Sequence, residues 1–117
     1  MMTDLEHFSA EDFCYLTTTG RVTGRPHRIE IWFALHGRTL YFLHEGGMAD
    51  WMKNMVHQPN VTVSIQEVVL TGKGRLVEDH EEDALARQLL GEKYQTPEDD
   101  LAEWLKDSSS VAVDLTE

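Results

Sequence analysis

The chain has 117 residues, and its 21 Asp and Glu outnumber its 10 Lys and Arg, which gives a formal net charge of −11. This length predicts one compact domain over residues 1–117, and the 41% apolar content is typical of a folded protein rather than a disordered one. The acidic balance argues against a nucleic-acid binder, and the longest apolar run, residues 31–35, is too short for a membrane-spanning helix.

The first half of the chain predicts three strands and a short helix. In chain order these are strands at 13–19, 28–35 and 39–44 and a helix at 49–57. The first strand is aromatic and β-branched and ends at Gly20. Residues 20–26 hold two glycines and a proline and therefore predict a loop. The helix follows Gly46 and Gly47 and ends before Pro59.

The second half predicts three more strands and two helices. The strands are at 61–65, 68–77 and 110–115, and the helices start at Asp79 and at Thr96. Gly72 and Gly74 predict a bend or bulge in the long strand. Pro97 fits the first position of the second helix. Six strands with these helices predict a mainly β protein, a small barrel with helical decoration.

A basic loop stands out in this acidic chain. Residues 21–53 carry a net charge of +2, whereas residues 79–117 carry −9. Three arginines and a histidine lie within residues 21–28, next to threonine hydroxyls and two glycines. These groups suit an anionic phosphate or carboxylate. The alternative is a solvated turn whose arginines balance the surface charge.

Other motifs give weaker or negative indications. Gly46 and Gly47 before a helix form a second possible anion cradle, although Asp50 also suits an ordinary helix start. The histidines show no spacing typical of metal ligands, so we expect no metal site. Nucleophile-elbow, P-loop and dinucleotide-binding motifs are absent from the sequence.

The cysteine content and the first residues bear on the compartment. Cys14 has no partner for an internal disulfide, as expected in a reducing cytoplasm. Residues 1–10 lack the basic head and apolar block of a signal peptide. We therefore expect a cytoplasmic protein without an integral membrane segment.

Residues 16–26, Leu-Thr-Thr-Thr-Gly-Arg-Val-Thr-Gly-Arg-Pro, resemble the signature of the deazaflavin-dependent nitroreductase family, within the split-barrel flavin and deazaflavin oxidoreductases. Further matching pieces follow in the expected order, so that the resemblance covers about residues 13–117. The resemblance implies a six-stranded split β-barrel of the pyridoxamine-phosphate-oxidase-like type, often a homodimer. It also implies that coenzyme F-420, or alternatively FMN, lies along the barrel at the subunit edge.

The resemblance also implies the site residues. The coenzyme-binding set is Thr19, Arg21, Thr23, Gly24, Arg25, Pro26, Arg28, Ile31, Trp32, Gly46, Gly47, Trp51 and Asn54. Tyr94 and Trp104 would face the substrate pocket. His44 and Tyr94 are the candidates for a catalytic proton donor, with packing at the barrel rim as the alternative.

Four positions depart from the family's pattern. Val22 and Glu45 stand where a basic residue is usual, His27 replaces an arginine, and Glu30 replaces a proline. Fewer cations weaken the case for a polyanionic coenzyme tail more than the case for a single phosphate. The choice between F-420 and FMN therefore stays open at the level of the sequence.

The function implied is hydride transfer from a reduced deazaflavin or flavin to a small electron-poor acceptor, such as a nitroaromatic, a quinone or an enone. The alternative of a different class is a non-catalytic module that carries FMN, haem or another tetrapyrrole on the same fold. A paralogue that keeps only the fold is the third possibility.

Overall fold

The computed structural model describes residues 5–98 and 100–116. In chain order, the elements are a 3-10 helix at Glu6–Phe8, β1 at Cys14–Thr19, β2 at Pro26–Ile31, β3 at Ala34–His36, β4 at Thr39–Glu45, α1 at Asp50–His57, β5 at Asn60–Ile65, β6 at Val68–Leu76, α2 at His80–Tyr94, α3 at Ala102–Asp107 and β7 at Ser108–Leu115. Within these ranges, no helix is long and apolar enough to cross a membrane.

The strands form one antiparallel sheet in the order β2-β1-β5-β6-β7-β4-β3. The two ends of this order, β2 and β3, are consecutive in the chain and are separated only by Trp32 and Phe33. The sheet therefore curls round until its two edges meet at this dipeptide. This arrangement confirms the expected mainly β barrel.

The predicted second strand, 28–35, is broken in two. Pairing with β1 stops at Ile31, and pairing with β4 starts at Ala34. Between them the Phe33 side chain is fully buried, and its N–H donates to the Tyr94 hydroxyl at 3.1 Å. The continuous apolar run gives no sign of this break, because the hydrogen bonds that replace strand pairing at Phe33 come from Tyr94 and Lys93 on the distant helix α2.

The barrel interior is filled by alternate side chains of the strands, as the pleat requires. Its fully buried members include Leu16, Phe33, Leu40, Phe42, Val63, Ile65, Val111 and Val113. Met52 and Met55 of α1 join this core. Fully burying one such side chain contributes about 1.5–3 kcal/mol.

Gly72 and Gly74 do not interrupt β6, contrary to the predicted bend or bulge. Both pair with β7 in regular register. A Cβ at Gly74 would collide with the sulfur of Met55, and a Cβ at Gly72 would lie 2.7 Å from the Asp114 carbonyl oxygen. Gly74 therefore allows α1 to pack closely on β6, and Gly72 allows β7 to do so, while neither glycine bends the strand.

The outer face of β3, β4 and β7 is covered by α2 and α3 through a second apolar cluster. The helix α2 starts as predicted, because the Asp79 carboxylate accepts a hydrogen bond from the Glu82 N–H at 2.9 Å. The predicted start of the last helix at Thr96 and Pro97 is wrong. Instead α3 starts at Ala102, whose N–H donates to the side chain of Asp100 at 3.0 Å.

Candidate functional site

The basic loop between β1 and β2 is closed by its own hydrogen bonds. The Gly20 N–H donates to the Arg25 carbonyl at 2.8 Å, and the Gly24 N–H donates to the Gly20 carbonyl at 2.9 Å. The Arg25 N–H donates to the Thr23 hydroxyl at 3.2 Å. Gly24 has a φ of 74°, which favours glycine at this position. These hydrogen bonds give the loop a defined shape.

Asn54 on α1 holds this loop in place. Its side-chain oxygen accepts from the Arg21 N–H at 3.1 Å and from the Arg21 guanidinium at 2.7 Å. Its amide nitrogen donates to the Thr18 hydroxyl at 3.5 Å, and the residue is only 4% exposed. The other end of the guanidinium pairs with the Asp50 carboxylate at 3.2 Å. Arg21 and Asn54 thus lie in direct contact, and this contact joins the loop to α1.

A small cleft of about 210 Å³ lies at this junction. It is lined by Gly20, Arg21, Val22, Thr23, His27, Asp50 and Asn54. The first residue before α1 is Ala49, which supplies no side-chain cap for the first N–H groups of the helix. Such a helix end attracts anions. The exposed carboxylate of Asp50 competes with an anion here and offsets part of the charge of Arg21.

The remaining basic and glycine residues of the predicted set do not line the cleft. The Arg25 side chain has no hydrogen-bond or ion-pair partner within residues 5–98 and 100–116, whereas the Arg28 guanidinium lies 4.0 Å from the centre of the Tyr15 ring. A Cβ at Gly46 or Gly47 would meet nothing within 4 Å. Arg25 is therefore the cation of the basic loop that is most available to an anion.

At the other end of β2, aromatic side chains form a second depression. Trp32 stacks on Tyr94 with ring centres 4.3 Å apart and planes within 5°. Trp104 meets Trp32 edge-on at 5.7 Å. A pocket of about 460 Å³ opens here, lined by Glu30, Ile31, Trp32, Leu43, Leu101 and Trp104. We refer to it below as the aromatic pocket. Its aromatic and aliphatic lining is of the kind that binds planar ligands.

The Tyr94 hydroxyl is committed to the backbone. It accepts from the Phe33 N–H at 3.1 Å and lies 2.7 Å from the Asp12 carbonyl and 3.0 Å from the Phe33 carbonyl. Burial raises the pKa of Tyr94 to about 12. These contacts favour the packing alternative over proton donation. His44, the other candidate, is half-buried and meets the Trp51 ring edge-on at 6.0 Å.

The predicted coenzyme residues are divided among several places. Thr19 and Pro26 line a different groove, of about 470 Å³, on the outer face of the sheet. Ile31 and Trp32 line the aromatic pocket. Trp51 is buried in the core against Phe42 rather than open to a ligand.

Two contributors were missed from the sequence. Asp50 pairs with Arg21, and its spacing of four from Asn54 on one helix could have indicated a shared face. Lys93 donates to the Phe33 carbonyl at 2.9 Å and fixes the break between β2 and β3, for which the sequence carries no signal.

The chain matches one protein family, and its fold recurs in solved structures. A family model described as F420H(2)-dependent quinone reductase matches residues 4–115. A search of curated protein sequences finds no significant match.

Several solved structures share the fold. An F420 reductase is 20% identical with a TM-score of 0.68, over 100% of this chain and 97% of the other. An F420-H2 dependent reductase, FDR-A, is 20% identical with a TM-score of 0.72, over 87% and 93%. HutZ, a haem storage protein from Vibrio cholerae, is 16% identical with a TM-score of 0.71, over 97% and 88%. At these identities the likeness concerns the fold alone.

Proposed function

Because the chain belongs to the F420H(2)-dependent quinone reductase family, we propose that it binds coenzyme F-420 and reduces a quinone, a nitroaromatic or an enone by hydride transfer. The observation that carries this proposal is the contact of Arg21 with Asn54. It places the basic loop and the uncapped end of α1 on one cleft. From there β2 leads to the aromatic pocket, about 17 Å along the strand. A phosphate at the cleft, the coenzyme's ring beside β2 and an acceptor in the aromatic pocket would suit this layout.

The chain's own residues supply binding, orientation and exclusion of water. Arg25, the Thr23 hydroxyl and the first N–H groups of α1 would hold a phosphate of the coenzyme. The bound coenzyme supplies the hydride. Trp32, held by Tyr94, presents an apolar surface to the acceptor. No side chain needs to act as an acid or base for hydride delivery.

Family membership favours F-420, while the local charges leave FMN as the alternative. Val22 is 89% exposed at the tip of the loop, and Asp50 offsets part of the charge of Arg21. Both features reduce the attraction for a polyanionic tail and leave a single phosphate well accommodated.

Titration of the purified protein with F-420, FMN and haem tests the assignment. We expect F-420 to bind, and its reduced form to be oxidised by menadione only when the protein is present. Arg25→Gln should weaken F-420 binding about tenfold, since it removes a charged hydrogen-bond donor. Lys106→Gln, an equal change of charge on α3, should not.

Two results would contradict the proposal. Haem binding with a Soret band and no affinity for F-420 would indicate the carrier module instead, on the fold that HutZ shares. Equal affinity of the Arg25→Gln and Lys106→Gln variants for F-420 would show that the phosphate lies elsewhere.

We also propose that the protein is a homodimer. In the described chain α2 and α3 pack on β3, β4 and β7 and reach β6 at Arg75, whereas Val69, at the other end of β6, is 64% exposed. We expect light scattering to give about twice 13.4 kDa. Val69→Lys should lower the mass or weaken the association, whereas Val56→Lys, at an exposed position on α1, should not. A monomer at micromolar concentration would refute the proposal.

A further inference from the structure

Among the residues that the structure describes, a single ionisable group lines the aromatic pocket. Ile31, Leu43 and Leu101 are aliphatic, and Trp32 and Trp104 are aromatic, which leaves the carboxylate of Glu30. That carboxylate accepts a hydrogen bond from the Tyr15 hydroxyl at 3.3 Å. It has no ion-pair partner within residues 5–98 and 100–116. An exposed carboxylate without an ion pair thus stands at an otherwise apolar site.

Trp32 offers this pocket a free ring surface. Tyr94 covers one face of the indole, and Trp104 touches it edge-on, yet the residue remains 43% exposed. The exposed surface belongs to the wall of the pocket. An indole face is the best aromatic partner for a cation.

The neighbouring charges strengthen the negative character of the site. Asp100 and Glu103 are exposed and lie next in sequence to the lining residues Leu101 and Trp104. The positive groups close to the site have other partners. The Lys93 ammonium lies 3.7 Å from the centre of the Phe33 ring and donates to the Phe33 carbonyl.

Arg28 is the other nearby cation, because it shares a face of β2 with Glu30. Its guanidinium is stacked on the Tyr15 ring at 4.0 Å and does not line the pocket. It lies over the ring whose hydroxyl bonds with Glu30, so it offsets part of the Glu30 charge without forming an ion pair, and water and salt screen this attraction.

We propose that the aromatic pocket selects planar cationic rings over neutral and anionic rings of the same size, and that Glu30 determines this preference. A cationic ring would lie on the Trp32 face with its charge toward Glu30, while an anionic ring would meet that carboxylate with repulsion. The inference rests on the proposed function only for the identification of this pocket as the acceptor site. Within that function, it names electron-poor heteroaromatic cations as the favoured acceptor class.

Calorimetric titration of the coenzyme-free protein tests the inference independently of catalysis. The probes are N-methylquinolinium, quinoline at pH 7.5 and naphthalenesulfonate, which share a two-ring skeleton and differ in charge. We expect the cation to bind most tightly and the anion least. Glu30→Gln should weaken binding of the cation about threefold to tenfold and leave that of quinoline unchanged. Trp32→Leu should weaken all three.

Glu67→Gln provides the matched control, because Glu67 is an exposed acid in the turn between β5 and β6 and makes the same change of net charge. An equal effect of Glu30→Gln and Glu67→Gln on the cation would overturn the inference. Tighter binding of naphthalenesulfonate than of N-methylquinolinium would also overturn it. A failure of F-420 to bind would refute the proposed function and leave this result standing.

Discussion

The buried amide of Asn54 joins three parts of the cleft: the end of β1, the basic loop and α1. Its oxygen accepts two hydrogen bonds from Arg21, and its nitrogen donates to Thr18. Asn54→Ala leaves the Arg21 N–H without its acceptor in a part-buried place. We expect a loss of about 1–3 kcal/mol in the free energy of unfolding. Urea denaturation measures it.

The same substitution should weaken F-420 binding more than the loss of stability alone would, because the loop is no longer held against α1. Asn60→Ala is the control, since Asn60 is exposed and its side chain bonds only with Gln58 within the described ranges. Equal coenzyme affinity in the two variants would mean that the loop keeps its shape without Asn54.

Lys93 gives the fold a distinct dependence on pH. Burial lowers the pKa of its ammonium from 10.5 to about 8. Below pH 8 the ammonium is charged in both the folded and the unfolded chain. Between pH 8 and 10.5 the unfolded chain binds more protons than the folded chain, because only the unfolded Lys93 remains charged. The free energy of unfolding therefore rises with pH across this window. Burial raises the pKa values of Cys14, Tyr41 and Tyr94, which act in the opposite direction at higher pH.

Denaturation between pH 7 and 9 separates these contributions. The wild-type protein should gain stability with pH relative to Lys93→Met, which lacks the titrating group. Lys106→Met should keep the gain. Parallel pH profiles for the wild type and Lys93→Met would show that Lys93 is solvated in the folded state.

At the scale of elements, Arg75 on β6 fastens α2 to the barrel. Its guanidinium bonds with Glu82 at 2.6 and 2.7 Å and with Asp114 on β7 at 2.7 and 3.2 Å. The Tyr41 hydroxyl also donates to Glu82. Since the site is partly exposed, Arg75→Met should cost only about 1–2 kcal/mol at neutral pH, as thermal unfolding would measure.

The loss of stability at acid pH tests the same network of Arg75, Glu82 and Asp114. Hydrogen bonds from Arg75 lower the pKa values of Glu82 and Asp114. Their stabilising contribution is present at neutral pH and is lost as the pH falls through the folded-state values. The wild type should therefore lose more stability than Arg75→Met between pH 5 and pH 3. An equal loss in both would show that other carboxylates control acid unfolding.

The elements that could be predicted are those whose signals are local. Alternation in 61–65 and the Asp79 cap were read directly from neighbouring residues, and both hold in the structure. The break after Ile31 depends on Lys93 and Tyr94, some 60 residues away, so periodicity could not indicate it.

In the candidate site, too, features with a local sequence signal could be predicted and features that depend on the orientation of an element could not. The basic loop was evident because its arginines and glycines are adjacent in sequence. The burial of Trp51 and the placement of Thr19 on the outer groove depend on which way a strand or helix faces in the barrel. A family motif carries the residue types and not this orientation.

At the scale of the whole molecule, the charge pattern sets two effects against each other. Residues 21–53 carry +2, whereas 79–117 carry −9. The second segment contains α2 and α3, which cover the outer face of β3, β4 and β7 and leave that of β2 and β1 open. An approaching polyanion therefore meets long-range repulsion from the net charge of −11 before it reaches the local attraction of Arg25.

Salt distinguishes these effects, because the screening length shortens from about 30 Å at 0.01 M to about 8 Å at 0.15 M ionic strength. Over this range the association rate of F-420 should rise about twofold to fivefold, since the distant acids are screened first. The dissociation rate should rise as well, because contacts with the basic loop weaken. FMN, with fewer charges, should show a smaller change in both rates. Stopped-flow fluorescence measures both rate constants. An association rate that falls with salt would mean that the basic loop, and not the acidic helices, dominates the electrostatic field that F-420 meets as it approaches the protein.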